Sequence, residues 1–238
     1  MGDFEEFEER TRWLSRASGF LARIESKETF VTRFLSENCG LDTLRYSTND
    51  VLTFMAIDLY KPFTNPITKE TFRCISSTPE AYTMEWTVQP GGYVPFEHIH
   101  VAQDEIFHVE GGEIRAMIDR KKHFGKAGET VTAPRGVRHI AYNDKDRPLV
   151  CTVEYKPGLD HYTTMQCFAG LTLDGKIDRR GLVNIPKIMY LLKKGNILSL
   201  PRPAFAPDLV FRFGMEFYYV LGSALGWEAL YKRYTFKA

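Results

Sequence analysis

Cysteine is scarce in this chain, and Cys39, Cys74, Cys151 and Cys167 lie far apart without a CxxC pair. In a chain of 238 residues this spacing indicates reduced, mostly buried thiols and favours a cytosolic compartment; one disulfide stays open, but nothing favours it. The N-terminus is acidic and lacks a basic segment followed by an apolar run, so no secretory signal is expected. We therefore predict a cytoplasmic protein.

Excess charge of either sign is also lacking. Lys and Arg number 31 against 30 for Asp and Glu, a formal net charge of +1, so no bulk electrostatic attraction to nucleic acid is expected. A composition of 44% hydrophobic and 26% charged residues is ordinary for a soluble globular protein. Internal repeats and low-complexity segments are absent, which predicts one central domain that is not duplicated.

The hydrophobic pattern divides the chain into three regions. Residues 1–70 show helical spacing up to about position 44 and predict a helical or irregular extension with two or three short helices. Residues 71–157 change to the two-residue period of strands, as in Tyr82, Met84, Trp86 and Val88, and predict a β-barrel or sandwich of many short strands. Residues 158–238 predict a second helical extension.

Helix-capping residues, a glycine and prolines predict where two helices begin and end in this last region. One begins after Asn184 as its N-cap and ends near Lys194, before Gly195. Pro201, Pro203 and Pro207 predict a rigid connector, after which Asp208 caps a last helix that extends to about Gly226.

Two motifs occupy the strand-rich region. The first reads GYVPFEHIHVAQDEIFHVEGG from Gly92, and the second reads GETVTAPRGVRHIAYN from Gly128. Together they resemble the two motifs of the cupin family, with agreement at every position that defines them: Gly92, His98, His100, Glu105, Gly112, Gly128, Pro134, Gly136, His139 and Asn143. The resemblance covers roughly residues 71–156 and implies a mainly β fold, a cupin (double-stranded β-helix, jelly-roll) barrel with flanking α-helices.

The resemblance also implies that His98, His100, Glu105 and His139 bind one metal ion. Strand geometry agrees, because residues two apart, such as His98 and His100, project to the same side. Three imidazoles and a carboxylate suit a divalent transition metal (Fe, Mn, Ni, Cu or Zn) better than Mg or Ca. Glu105 could also act as a base, a role carried over from some family members.

Other side chains have weaker signals. Met84, Trp86, Phe96 and Phe107 are predicted first as core residues and also as the lining of a substrate pocket. Tyr142 and Glu154 are candidates for hydrogen bonds to the metal ligands. Asn143 is expected to stabilise a turn, with contact to a substrate as the alternative. His108 is expected to be exposed or at an interface, and His123 and His161 receive no role.

The segment from 209 to 231 is rich in aromatic residues and poor in charge. Packing against the barrel or against a second copy of the chain, in a homodimer, is the first interpretation. Peripheral contact with a membrane surface, with the protein otherwise cytoplasmic, is the second.

The functional hypotheses stay open at this point. The first is a mononuclear metal-dependent dioxygenase, or another oxidoreductase, acting on a small organic substrate, as the resemblance to quercetin and acireductone dioxygenases and oxalate-handling enzymes implies. The second is a non-catalytic module that binds or senses a small molecule, and the third is a metal-dependent isomerase or lyase.

Overall fold

The computed structural model describes residues 56–197, 199 and 201–235, and the helices predicted before residue 56 lie outside them. Fifteen elements occur in the described part of the chain. They are β1 (Phe63–Asn65), β2 (Glu70–Ser77), β3 (Tyr82–Val88), β4 (His98–His100), β5 (Asp104–Gly111), β6 (Glu113–Ile118), β7 (Lys121–Lys126), β8 (Thr130–Ala133), β9 (His139–Tyr142), β10 (Leu149–Lys156), α1 (His161–Leu173), α2 (Ile185–Lys194), β11 (Pro201–Pro203), α3 (Asp208–Ala224) and α4 (Glu228–Thr235).

Two antiparallel sheets form the barrel. The larger has the strand order β1-β2-β3-β10-β5-β8, and the smaller has the order β11-β4-β9-β6-β7. Burial alternates strictly along β3, where Tyr82, Met84, Trp86 and Val88 are buried and the residues between them are half-buried. The predicted mainly β fold, a jelly-roll barrel with flanking helices, is therefore confirmed.

The two sheets include strands that lie outside the range of 71–157 predicted for the barrel. Strand β1 pairs with β2 at its start, and β11 adds an edge to the smaller sheet by pairing with β4, Pro201 opposite His100 and Pro203 opposite His98. The prolines predicted as a rigid connector thus form a strand. Proline is tolerated there because β11 is an edge strand, where a missing N–H need not break a ladder on its outer side. The three-region division itself stays a prediction.

The turn that closes the first motif depends on a glycine. Gly112 has a φ of +78°, and a Cβ at this position would lie 2.5 Å from the carbonyl oxygen of Pro148. Asn143 stabilises a neighbouring turn, as predicted: its side-chain amide donates to the carbonyls of Val88 and Arg147, both at 2.8 Å. These contacts tie the end of β9, in the second motif, to the end of β3 and to the loop before β10.

The helices that follow the barrel pack on one another. Helix α2 matches its prediction, because the Asn184 side chain accepts a hydrogen bond from the Lys187 backbone N–H and Gly195 ends the helix. The predicted cap of α3 is wrong: Pro207 occupies the N-cap position, and Asp208 is the first helical residue. Helix α3 also ends earlier than predicted, at Ala224, and the short helix α4 follows.

Helix α3 packs on α2 through one face only. Its residues Met215 and Gly222 are buried, and Glu216 pairs with Lys193 of α2 at 2.6 Å. The opposite face exposes large apolar side chains: Leu209, Val210, Phe213, Phe217, Val220 and Leu221. Leu225, which follows the helix, is also exposed. No helix among the described residues is long and apolar enough to cross a bilayer. The homodimer and the contact with a membrane surface stay predictions.

Candidate metal centre

Four buried side chains from both sheets converge inside the barrel. His98 and His100 come from β4, His139 lies directly opposite His98 on β9, and Glu105 comes from β5 in the other sheet. One potential ligand atom of each lies within 4.8 Å of those of the other three. The structure therefore brings together all four residues that the sequence predicts as ligands.

The Glu105 carboxylate is the common partner in this cluster. Its Oε2 lies 2.7 Å from Nε2 of His139, 3.3 Å from Nε2 of His100 and 3.9 Å from Nε2 of His98. The Nε2 atoms of His98 and His100 are themselves 3.2 Å apart. Three ring nitrogens and one carboxylate oxygen thus face one point, a donor set that fits a divalent transition metal.

Backbone carbonyls fix two of the imidazole rings. Nδ1 of His98 lies 3.2 Å from the carbonyl oxygen of Phe96, and Nδ1 of His139 lies 2.9 Å from that of Val137. When Nδ1–H donates to a carbonyl, Nε2 of the neutral ring keeps a free lone pair for a metal. Nδ1 of His100 has no hydrogen-bond partner among the described residues.

Burial and the close contacts shift the pKa values within the cluster. Burial and the rings of His139 and His100 hold the pKa of His98 well below its ordinary value. Burial alone would raise the pKa of Glu105, but hydrogen bonds from His100 and His139 outweigh it and hold that pKa well below its usual range. Burial opposes protonation of His139, yet its bond to Glu105 raises its pKa. The shifts of Glu105 and His139 both favour a charged carboxylate beside a protonated imidazole, and a metal ion could take the place of that proton.

The second oxygen of Glu105 has its own partner. The Tyr155 hydroxyl, on β10, donates to Oε1 of Glu105 at 2.7 Å, and the two residues are paired in register across the sheet. Glu154 and Tyr142, predicted for such a role, do not reach the cluster. Glu154 pairs with Lys156 at 2.9 Å, and the Tyr142 ring lies under the guanidinium of Arg115. The alternation of β10 and β9 explains this, because both face away from the barrel interior.

Replacing Tyr155 with phenylalanine is expected to weaken metal binding without unfolding the barrel. Loss of a hydrogen bond that orients a metal ligand typically lowers metal affinity by about 10–100-fold. Competition titration of Zn(II) or Mn(II) against a chelator measures the change. Tyr142→Phe is the matched control, since its hydroxyl is outside the cluster, and equal affinities for the two variants would contradict the role of Tyr155.

His161, to which the sequence assigned no role, lies beside the cluster. At the start of α1, it is buried and stacks on the Tyr155 ring with centroids 3.8 Å apart. Its Nδ1 lies 3.2 Å from Oε1 of Gln103, whose amide nitrogen is committed to the carbonyls of Pro157 and Gly158. Burial and the nearby His100 lower the pKa of His161 to about 3, so its ring is neutral. No local sequence pattern indicates this position, because α1 reaches it only through the tertiary fold.

A cavity of about 370 Å³ opens beside the cluster. His98, His100 and Glu105 line it, and His139 does not. All four residues predicted as pocket lining, Met84, Trp86, Phe96 and Phe107, face this cavity. Helices α1, α2 and α3 and the segment around β11 contribute much of the remaining wall, which the barrel motifs alone could not indicate. His108, expected to be exposed or at an interface, is half-buried, and its Nδ1 lies 3.2 Å from the Thr130 hydroxyl oxygen; His123 is exposed.

Glu70 is a second carboxyl group in the cavity wall that the sequence analysis missed. It is 2% exposed and accepts a hydrogen bond from the Trp86 indole at 3.1 Å. Burial raises the pKa of Glu70 to about 8, so the carboxyl is largely protonated at neutral pH. A neutral carboxylic acid can both donate and accept hydrogen bonds inside an apolar cavity.

The barrel of this chain is a cupin domain: the family model described as the cupin domain matches residues 84–155. Among similar solved structures, TT1209 from Thermus thermophilus is 18% identical, with 43% of this chain and 97% of that chain covered and a TM-score of 0.37. An RmlC-like cupin from Shewanella frigidimarina is 15% identical over 43% and 87% of the two chains, with a TM-score of 0.38. A predicted oxalate decarboxylase from Thermotoga maritima is 19% identical over 41% and 90%, with a TM-score of 0.37. No curated protein matches this chain significantly.

Proposed function

We propose that this protein is a mononuclear metal-dependent oxidoreductase, in the simplest form a dioxygenase, that acts on an organic substrate bound in the barrel cavity. One observation carries the proposal. Three imidazoles and a carboxylate converge at a point that borders an open, largely apolar cavity. Such a cavity leaves room for a substrate beside the cluster, which a purely structural metal site does not need.

The residues that would hold the metal are His98, His100, Glu105 and His139. Fe(II), Mn(II), Ni(II), Cu(II) and Zn(II) all suit this donor set. When bound, the ion would supply Lewis acidity or a path for electrons between substrate and dioxygen. The carbonyls of Phe96 and Val137 keep two of the rings oriented for this task, whichever ion is bound.

The chain's own residues would prepare the substrate. Trp86, Phe96 and Phe107 line the cavity and would exclude water from the reacting part of the substrate. Glu105 is the candidate base for a proton on the substrate, and the Tyr155 hydroxyl at its Oε1 would hold the carboxylate in place during such a transfer. The neutral ring of His161 would close the cavity wall beside His100.

Elemental analysis followed by oxygen-uptake measurements tests the proposal. Protein stripped with a chelator is reloaded with each of the five metals in turn and assayed in an oxygen electrode against a panel of organic substrates. We expect about one ion per chain and oxygen consumption that depends on the metal. Product formation without oxygen would indicate the isomerase or lyase instead. Ligand binding without any product would indicate the non-catalytic module, and the lack of stoichiometric metal would overturn the metal site itself.

A further inference from the structure

The cavity has two chemically different ends. Its inner end, at the four-residue cluster, holds the carboxyl and imidazole groups that line the cavity: His98, His100, Glu105, Glu70 and His161. Its outer part lies against the helices and β11 and is lined by carbon-rich side chains, among them Met165, Phe168, Ile188, Met189, Leu192 and Phe211. Two hydroxyl-bearing side chains also line this part: Thr164, whose hydroxyl is already bonded to that of Ser199 at 2.8 Å, and Tyr218.

The apolar part continues to the protein surface. Phe205 and Val210 both line the cavity and are 81% and 62% exposed, so the outer end reaches solvent at the start of α3. Neighbouring Leu209 and Phe213 extend the same apolar surface outside the cavity. A molecule can thus lie with one end at the cluster and the other at this opening.

We propose that the cavity binds a single-tailed amphiphile, with an oxygen-bearing head at the four-residue cluster and an unbranched apolar tail between the barrel and helices α1, α2 and α3. The position of the head rests on the proposed function, because it is the metal that would hold an oxygen atom there. The position of the tail rests only on the walls of the cavity.

Solvation decides against a uniformly polar substrate. A sugar or a small hydroxy acid would lose its hydrogen bonds to water along the apolar wall and gain none in return. A methylene group transferred from water to the same wall gains roughly 0.8 kcal/mol, which corresponds to about a fourfold increase in affinity. The helical part of the cavity therefore selects for chain length, and the barrel part selects for the head.

A homologous series of ligands tests this selection. Titration calorimetry of the metal-loaded full chain with straight-chain monocarboxylates, from butanoate to tetradecanoate and below their micelle concentrations, gives the affinity for each length. We expect a rise of about fourfold per methylene group until the cavity is filled, followed by a plateau. Affinity that does not change with chain length, or malate binding as tightly as decanoate, would overturn the proposal.

A pair of matched variants locates the tail. Val210→Gln places an amide at the outer end of the cavity, whereas Val220→Gln makes the same change on the same helix outside it, at a site that is 69% exposed. We expect Val210→Gln to weaken binding of the longest acids by about fourfold or more while leaving butanoate unaffected. Val220→Gln should match the unmodified protein, and identical binding by both variants would place the tail elsewhere and overturn the proposal.

The two proposals can fail separately. Metal content is measured in the same samples, and the series is repeated after chelation. If the protein binds metal but its affinity for the acids does not change with chain length, the amphiphile proposal is wrong and the metal-dependent function is unaffected. If the affinity depends on chain length but the protein takes up no metal at all, the tail site is retained, and both the proposed function and the assignment of the head are wrong.

Discussion

Protein carrying His139→Ala is expected to bind no stoichiometric transition metal. His139 is buried, and its Nε2 makes the shortest contact in the cluster, 2.7 Å to Glu105. Its removal deletes one of four donor atoms and leaves the Glu105 carboxylate without its closest hydrogen-bond partner in the cluster. We expect the loss in affinity to exceed the roughly 10–100-fold that removal of a supporting hydrogen bond causes. Elemental analysis and chelator competition with Zn(II) or Mn(II) measure it.

His123→Ala is the control for this experiment. His123 lies on β7, is exposed and is not part of the cluster. The variant should bind metal like the unmodified protein, and circular dichroism of both variants should retain the signal of a folded barrel. Unchanged metal content in folded His139→Ala protein would show that the four-residue assignment is wrong.

The contribution of Glu70 to stability is expected to fall as the pH rises from about 5 to about 8, and Glu70→Gln is expected to remove that contribution. Burial raises the pKa of Glu70 from 4.5 in the unfolded chain to about 8 in the folded protein. Between these values the folded state keeps a proton that the unfolded state has released. The stabilisation is therefore complete below about pH 4.5 and is lost as the pH rises through 8.

The size of this effect follows from the shift. Each pKa unit corresponds to about 1.4 kcal/mol, so Glu70 accounts for at most roughly 5 kcal/mol across the window. Urea unfolding of the unmodified protein and of Glu70→Gln at several pH values measures the difference. Glutamine can still accept the hydrogen bond from the Trp86 indole, so the substitution changes the titration and keeps the contact.

Glu80→Gln, in an exposed turn, is the control for the change of charge. It should leave the pH dependence of unfolding as it is in the unmodified protein. The same slope in Glu70→Gln as in the unmodified protein would mean that the Glu70 carboxyl does not keep its proton in the folded state.

The sequence predicts the centre of the site better than its surroundings, for a physical reason. His98 and His100 share a face because strand geometry is local, and the alternation of β3 predicts its buried side for the same reason. Glu105 and His139 follow from the resemblance to the cupin motifs. These signals all lie within single strands or fixed spacings.

Tyr155, His161 and Glu70 carry no such signal. Tyr155 reaches Glu105 through a strand pairing, and His161 reaches the cluster through the packing of α1 against the barrel. Glu70 precedes the motifs, and only burial distinguishes it from an ordinary surface glutamate. Strand β11 is harder still to predict from the sequence, because prolines normally argue against a strand. In addition, the strand with which it pairs, β4, lies about a hundred residues earlier in the chain.

The pairing of β11 with β4 links the strand that carries two of the proposed metal ligands to the wall of the cavity. Opposite His98 and His100 stand Pro203 and Pro201, and the same two prolines line the cavity. A ligand that displaces β11 would therefore also disturb the strand that carries His98 and His100. Linkage between binding sites is reciprocal: the factor by which the metal tightens an amphiphile equals the factor by which the amphiphile tightens the metal. Under both proposals, retention of the metal would itself depend on the supply of substrate.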